Sequence, residues 1–183
     1  MKKILSLLIC IPFVLTACSI GNVDILGEIF KTDGYICDSE LEKILFSIES
    51  KDKEKLLSCF APNAVNSQSD MEAQIDELFE YCAGKALSYL EFNGGPIVEE
   101  SFDREGNREK ILYPTYDVQT YDGNYRITFK LVETDTVNED NEGIWSLYVI
   151  KSENDTDPNV AYRGDDKYTA GIRINVKNVI LDD

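Results

Sequence analysis

The residues best placed to do chemistry in this chain are its five cysteines, because the sequence contains no histidine. Without imidazole, we do not expect the usual His/Cys zinc and copper sites or the Ser-His and Cys-His nucleophile systems. Cys37, Cys59 and Cys82 are also too far apart to form a CxxC motif. We therefore predict no metal site, no cofactor and no catalytic residue.

Two of these cysteines complete apolar helical stripes. Cys59 follows Leu56 by three residues and precedes Phe60, and Cys82 follows Leu78 by four residues. This spacing predicts core positions and therefore buried free thiols. A Cys59–Cys82 disulfide between two packed helices is the alternative, if the domain lies outside the cytoplasm.

The N-terminus places Cys18 in a pattern typical of lipid attachment. Lys2 and Lys3 precede an apolar run, residues 4–14, which ends in Leu15-Thr16-Ala17-Cys18. A positive segment, an apolar stretch too short to span a bilayer and small residues are typical of a cleavable signal peptide rather than of a transmembrane helix. The Leu-x-Ala-Cys ending resembles a lipobox, which implies that residues 1–17 are removed and that Cys18 becomes the lipidated N-terminus.

A lipidated N-terminus would decide where the chain is found. Two acyl chains are enough for stable membrane attachment, where one chain is marginal. We therefore expect the chain at the extracytoplasmic face of a bacterial cell membrane, held there by its lipid. An ordinary secretory signal and a buried apolar start of a soluble domain are the alternatives. Residues 18–37 are predicted to form the tether, and residues 38–183 a single domain.

Composition limits the classes of partner. The 183 residues carry a formal net charge of −16, and 43% of them are apolar. Such a chain is long and apolar enough for one folded domain with its own core. Its acidity repels phosphate backbones and anionic lipid headgroups, so we expect no nucleic acid partner.

In the first part of the domain, apolar residues recur at the spacing of a helix. Capping boxes at Ser39 and Ser69 predict the starts of two helices, the first of which runs to about Ser50. A helical stretch between these two is predicted to stop at Pro62, and the later helix is predicted to end at Gly84. The N-terminal half is therefore predicted to be helical.

After Gly84 the period of the apolar residues changes to two, which indicates strands. In the strand 144–151, Trp145, Leu147 and Val149 are predicted to share one face. Helices followed by a run of strands predict an α+β domain in which the helices cover one face of a curved antiparallel sheet. The strands are predicted at residues 87–92, 97–102, 111–121, 125–133 and 144–151, with an edge strand within 168–179.

Two stretches carry a resemblance to a known fold family. The stretch from Glu40 to Val65 resembles the opening of nuclear-transport-factor-2-like (cystatin-like) domains, and the stretch from Gly143 to Val149 resembles the Trp-bearing late strand of such domains. The resemblance implies helices packed on a curved sheet that forms a cone. The chain as a whole also resembles small bacterial surface lipoproteins whose domains have no known function.

The resemblance further implies a cavity between sheet and helices, which in some members of the fold is catalytic and in many only binds ligands. Asp117 would be the ionisable group of this cavity. Aromatic residues at sheet spacing usually belong to the core, so packing without a ligand is the alternative. The aromatic residues that would line the cavity are Tyr89, Tyr113, Tyr116, Phe129, Trp145 and Tyr148.

An acidic stretch resembles part of a calcium-binding loop. Asp155, Asp157 and Asn159 occupy its first, third and fifth positions, and Asp166 occupies its twelfth. Val160 replaces the required glycine, however, and no flanking helices are evident. We therefore expect a solvated turn rather than a metal site.

Three hypotheses of function follow. The first is a non-enzymatic surface lipoprotein that binds a small ligand or an envelope protein. The second is an isomerase- or lyase-type enzyme that uses carboxylates in a cone cavity. The third is a structural module of the envelope that forms a homodimer through its sheet.

Overall fold

A long helix opens the described part of the chain, which in the computed structural model comprises residues 32–156, 164 and 167–175. Helix α1 spans Asp33–Ser50. The Thr32 side chain accepts a hydrogen bond from the backbone N–H of Tyr35, and Lys51 ends the helix in the left-handed conformation. The predicted start at Ser39 is therefore wrong, and the predicted boundary between tether and domain at Asp38 lies inside α1.

Three shorter helices follow: α2 (Lys53–Leu57), α3 (Pro62–Asn66) and α4 (Met71–Tyr81). The helix before Pro62 ends earlier than predicted, since α2 ends at Leu57. Pro62 instead begins α3, because proline suits the first turn of a helix, where its missing N–H costs no hydrogen bond. The predicted capping box at Ser69 does not form, since α4 begins after Asp70 without a side-chain cap. Gly84 follows α4 with a φ of 84°.

Seven strands form one sheet in the described residues. The predicted strand 111–121 is two strands, because Pro114 has no N–H for pairing and divides the run into β3 and β4. The strands are β1 (Ala86–Glu91), β2 (Ile97–Phe102), β3 (Arg108–Tyr113), β4 (Thr115–Thr120), β5 (Asn124–Asp135), β6 (Gly143–Lys151) and β7 (Gly171–Ile174).

The long strand β5 organises the sheet. One side of β5 pairs first with β4 and then with β3, and the other side pairs with β6. Strand β1 pairs with β4, and β2 pairs with β3. These pairs are antiparallel as predicted, whereas β7 pairs with β6 in parallel. The predicted α+β class is confirmed, with four helices and a seven-stranded, mainly antiparallel sheet in the described residues.

The helices pack against one face of the sheet. Ile44 of α1 and Leu78 of α4 are fully buried in one apolar cluster with Ile127 and Phe129 of β5. Tyr148 and Ile150 lie on the opposite face, in a separate cluster with Tyr168. Burial of this apolar surface is the main force that holds the helices on the sheet.

A bulge changes the faces of β6. Lys130 pairs with Ser146 and Leu131 pairs with Ile144, which leaves Trp145 as an extra residue. Trp145 therefore does not share a face with Leu147 and Val149, contrary to prediction. It packs half-buried against a small cluster of alanines.

No helix in the described residues is long and apolar enough to cross a membrane.

Candidate functional site

A buried arginine organises one end of the sheet. Arg126 of β5 lies opposite Asp117 of β4 in register, and its side chain is 6% exposed. Its Nε donates to Asp117 Oδ1 at 2.8 Å, and its Nη2 donates to Oδ2 of the same carboxylate at 3.3 Å. Its Nη1 donates to Asp155 Oδ2 at 2.5 Å. One guanidinium thus orients two carboxylates.

The two carboxylates differ in their access to water. The side chain of Asp155 is 2% exposed, whereas that of Asp117 is 42% exposed. The ring of Phe92 covers the guanidinium, with the Arg126 Cζ 4.6 Å from the ring centroid. Asp117 is therefore a fixed hydrogen-bond acceptor that solvent can reach.

A surface pocket of 420 Å³ opens beside this ion cluster. It lies over the hairpin of β4 and β5 and over one face of β1. Hydroxyl, amide and carboxylate groups dominate its polar lining, which suits a ligand that both donates and accepts hydrogen bonds. The polar lining residues are Ser88, Asp117, Gln119, Asn124, Arg126 and Ser152.

A second pocket of 370 Å³ lies on the other side of β1, between that strand and α1. Leu45 and Phe46 of α1 contribute its apolar lining, with Glu42 and Glu49 beside them. Tyr89 lines both pockets. Its hydroxyl donates a hydrogen bond to Glu42 Oε1 at 2.9 Å. Burial, and then this hydrogen bond, raise the pKa of Tyr89 to about 12. The two pockets thus flank a single strand.

A third cluster is acidic and lies at the start of α1. The hydroxyl of the fully buried Tyr116 donates to Asp38 Oδ1 at 2.8 Å. Glu91 of β1 lies opposite Tyr116 in register. Burial, and then the nearby Asp38, raise the pKa of Glu91, and its Oε1 is buried without a hydrogen-bond partner. Glu91 therefore keeps its proton to a higher pH than an ordinary glutamate.

The predicted aromatic cavity residues lie on two faces of the sheet. Three of them, Tyr89, Tyr116 and Phe129, share the helix-covered face. The ring centroid of Tyr116 lies 5.8 Å from that of Tyr89 and 6.2 Å from that of Phe129. Tyr113 and Tyr148 lie on the opposite face, where Tyr168 contacts both rings.

Asp117 and Trp145 are also separate from the helix-covered aromatic group. Asp117 lies between Tyr116 and Val118 in β4, so strand alternation turns it to the opposite face. Trp145 lies at the bulge, with Lys130 Nζ 5.7 Å from its ring centroid. The predicted residues consequently do not line one common cavity.

Sequence reasoning missed Arg126, although a signal for it existed. The Asp122-Gly123 pair between two predicted strands is typical of a tight hairpin turn, and pairing outward from this turn sets Gln119 against Asn124 and Asp117 against Arg126. A lone arginine within an apolar strand therefore had a predictable carboxylate partner. Glu91 and Asp38 had no such signal, because their contact with Tyr116 depends on distant parts of the chain.

The cysteine prediction is confirmed. Cys37, Cys59 and Cys82 are free and buried, so the alternative Cys59–Cys82 disulfide does not form. Burial is the largest cause that raises the pKa of Cys59 to about 11 and that of Cys82 to about 12. These thiols are therefore inert core residues.

Part of the remaining predictions falls outside the described residues. Cys18 does so, as do Asp157, Asn159 and Asp166 of the calcium-like stretch. The described member of that stretch, Asp155, accepts a hydrogen bond from Arg126. Within residues 32–156, 164 and 167–175, no group of three or more histidine, cysteine or acidic residues is arranged to hold a metal ion.

Comparison with protein-family models gave a match over residues 43–152, to the family described as Domain of unknown function (DUF5104). Comparison with curated proteins gave no match. The matched region runs from within α1 to the turn after β6, so it contains Asp117, Arg126 and the strand between the two pockets. Since this region covers more than half of the chain, the protein belongs to the DUF5104 family.

Proposed function

We propose that this protein is a non-enzymatic binding module carried on a bacterial surface lipoprotein, and that its binding site is the 420 Å³ pocket beside Arg126. The ligand is a polar small molecule or a polar segment of an envelope protein. The observation that carries the proposal is the fixed carboxylate of Asp117. Arg126 holds it at 2.8 Å and 3.3 Å while 42% of its side chain stays exposed.

Pre-organisation is the reason that this arrangement suits binding. A group that is already oriented loses little conformational freedom when a ligand arrives, so more of the interaction energy appears as affinity. Asp117 is held by a buried guanidinium and is next to the amide of Gln119 and the hydroxyl of Ser88. The pocket therefore presents oriented acceptors and donors to a ligand without requiring a reaction.

The proposed location rests on the N-terminal sequence. Its positive start, apolar run and Leu-x-Ala-Cys ending favour a lipid anchor at Cys18 on the extracytoplasmic face of the membrane. The net charge of −16 makes adsorption to anionic headgroups unfavourable, so the acyl chains would have to provide the attachment. We also retain the resemblance to nuclear-transport-factor-2-like domains as part of this proposal, supported by helices that cover one face of the sheet.

The anchor is tested by metabolic labelling of the full chain with an alkyne analogue of palmitate in bacteria. We expect wild type and Cys10→Ala to incorporate the label and to fractionate with membranes, whereas Cys18→Ala does neither. Cys10→Ala is the matched control, since it removes a cysteine that lies within the same N-terminal segment. Equal labelling of Cys18→Ala and wild type would contradict the anchor.

The binding site is tested by native mass spectrometry of protein purified without denaturation. We expect an additional mass that disappears on denaturation. Gln119→Trp, which places a bulky side chain at an exposed pocket position, should remove this mass. Val137→Trp, at a position that is 73% exposed and absent from the pocket lining, should keep it. An unchanged mass in Gln119→Trp would contradict this site.

One observation favours a carboxylate-based isomerase or lyase as a second candidate. Glu91 has a raised pKa and lies opposite the buried Tyr116, which makes it the candidate for proton transfer. The test is to release the bound compound, add it to fresh protein and follow its conversion. A catalytic Glu91 requires conversion by wild type and at least about a hundredfold loss in Glu91→Gln. Equal rates for the two proteins would exclude this role.

A further inference from the structure

We propose that strand β1 is a docking edge for an extended peptide segment of a partner protein, in which apolar and basic residues alternate. The peptide would add a strand to the sheet beside β1. This inference rests on the proposed binding function and names its partner class.

The backbone of β1 is available for such pairing. Among the described strands, β1 pairs only with β4, so its other edge has no strand partner. An edge strand presents N–H and C=O groups that can pair with an added strand. Two of its apolar side chains, Leu87 and Leu90, are 49% and 73% exposed. The strand thus combines an open edge with apolar surface.

A pocket lies on each face of this edge. The 370 Å³ pocket lies on the side of α1, the 420 Å³ pocket lies on the opposite side, and both include Ser88 and Tyr89. Successive side chains of a strand point to opposite faces at a spacing of about 3.3 Å per residue. A strand paired with β1 would therefore place alternate side chains in the two pockets.

The lining of each pocket selects a different side chain. The pocket beside α1 has apolar walls from Leu45, Phe46 and Leu87, which suit an apolar side chain. The opposite pocket has the solvent-accessible carboxylate of Asp117, which suits a lysine or an arginine. The two faces together favour a peptide with alternating apolar and basic residues.

Charge around the edge favours the same partner. Glu42 and Glu49 line the pocket beside α1, and the whole chain carries a net charge of −16. An acidic peptide would be repelled by these carboxylates, whereas a basic peptide is attracted.

The edge strand β2 is the internal comparison. It also has exposed apolar residues, including Phe102 at 67% exposure, and it pairs only with β3 among the described strands. Neither of the two pockets that flank β1 includes a residue of β2. Docking is therefore expected at β1 and not at β2.

The test measures binding of a fluorescent hexapeptide, acetyl-Val-Lys-Val-Lys-Val-Lys-amide, to the full chain in detergent by fluorescence anisotropy. The first control has the same side chains but carries N-methyl groups at alternate residues, which removes backbone hydrogen bonds. The second control, acetyl-Val-Val-Val-Lys-Lys-Lys-amide, has the same composition without alternation. We expect each control to bind at least about tenfold more weakly than the alternating peptide.

Protein variants locate the binding. Leu87→Thr keeps a residue that favours strands but removes the apolar contact, and we expect it to weaken binding at least about threefold. Phe102→Thr is the matched control on β2 and should leave binding unchanged. Circular dichroism confirms that both variants are folded.

Several outcomes would overturn the proposal: no binding of the alternating peptide, equal binding of the N-methylated peptide, or equal effects of the two protein variants. A dimer that forms through β1 and excludes the peptide would also overturn it, since the occupant would then be a second copy. A ligand seen by native mass spectrometry together with no peptide binding would refute this inference and leave the proposed function standing.

Discussion

Replacement of Arg126 with methionine is expected to be strongly destabilising. Methionine fills a similar volume but leaves Asp155, whose side chain is 2% exposed, as a buried carboxylate without this cation. Removing one partner of a buried ion pair typically costs about 3–5 kcal/mol. The other carboxylate contributes less to this cost, because the side chain of Asp117 is 42% exposed and water can solvate it.

The loss is measured as the free energy of unfolding in urea, for wild type, Arg126→Met, Asp155→Asn and the double variant. If the penalty comes from the buried carboxylate of Asp155 after it loses Arg126, the double variant must be more stable than Arg126→Met alone, by about 1–3 kcal/mol. Asp117→Asn, which affects the more exposed partner, should cost about 1 kcal/mol or less.

Two results would refute this reasoning. The first is a loss of less than about 1 kcal/mol in Arg126→Met, which would mean that the ion cluster contributes little to stability. The second is a double variant whose loss equals the sum of the two single losses, which would mean that Arg126 and Asp155 act independently.

Three further predictions concern other parts of the domain. The raised pKa of Glu91 means that the native state binds this proton more tightly than the unfolded state, so stability falls as pH rises through the folded pKa. Glu91→Gln should therefore raise stability at pH 7 and not below about pH 4, measured by urea unfolding; an equal gain at both pH values would contradict the cause. Cys59 and Cys82, with pKa values of about 11 and 12, should resist iodoacetamide at pH 8 until the chain unfolds, as read by peptide mapping, whereas labelling of the folded chain would contradict their burial. Gly143→Ala should lower the melting temperature more than Gly106→Ala. Both glycines have a positive φ, but a Cβ added at Gly143 would lie 2.8 Å from the backbone nitrogen of Ala61, whereas one at Gly106 would meet open space; equal losses would contradict this steric cause.

Local structure was predicted well where the apolar residues recur with a single clear period. Strand β2 has the predicted bounds of residues 97 and 102, and the loop that follows it spans residues 103–107. Period-two alternation and a turn rich in glycine, aspartate and asparagine are local signals. Pro114, by contrast, was read as part of one strand although its missing N–H divides that strand.

The candidate site was harder to predict because it depends on pairing between distant strands. Asp117 was identified as an ionisable group, but strand alternation places it on the face opposite Tyr116. Pairing of β1 with β4 skips two intervening strands, and this pairing brings Glu91 to Tyr116. The bulge that isolates Trp145 is likewise a feature of the pairing of β5 with β6. The periodicity of apolar residues in one sequence does not show which strands pair with each other.

Amide hydrogen–deuterium exchange tests the proposed binding site most directly. Full-chain protein purified without denaturation is compared with the same protein after denaturation, removal of small molecules and refolding. If a ligand occupies the proposed site, amide exchange should be slower in the sample purified without denaturation. The slower exchange should lie at β1 and at the hairpin of β4 and β5, around Ser88, Gln119 and Asn124. Equal exchange there in the two samples, or protection confined to α4 and β7, would contradict the proposed site.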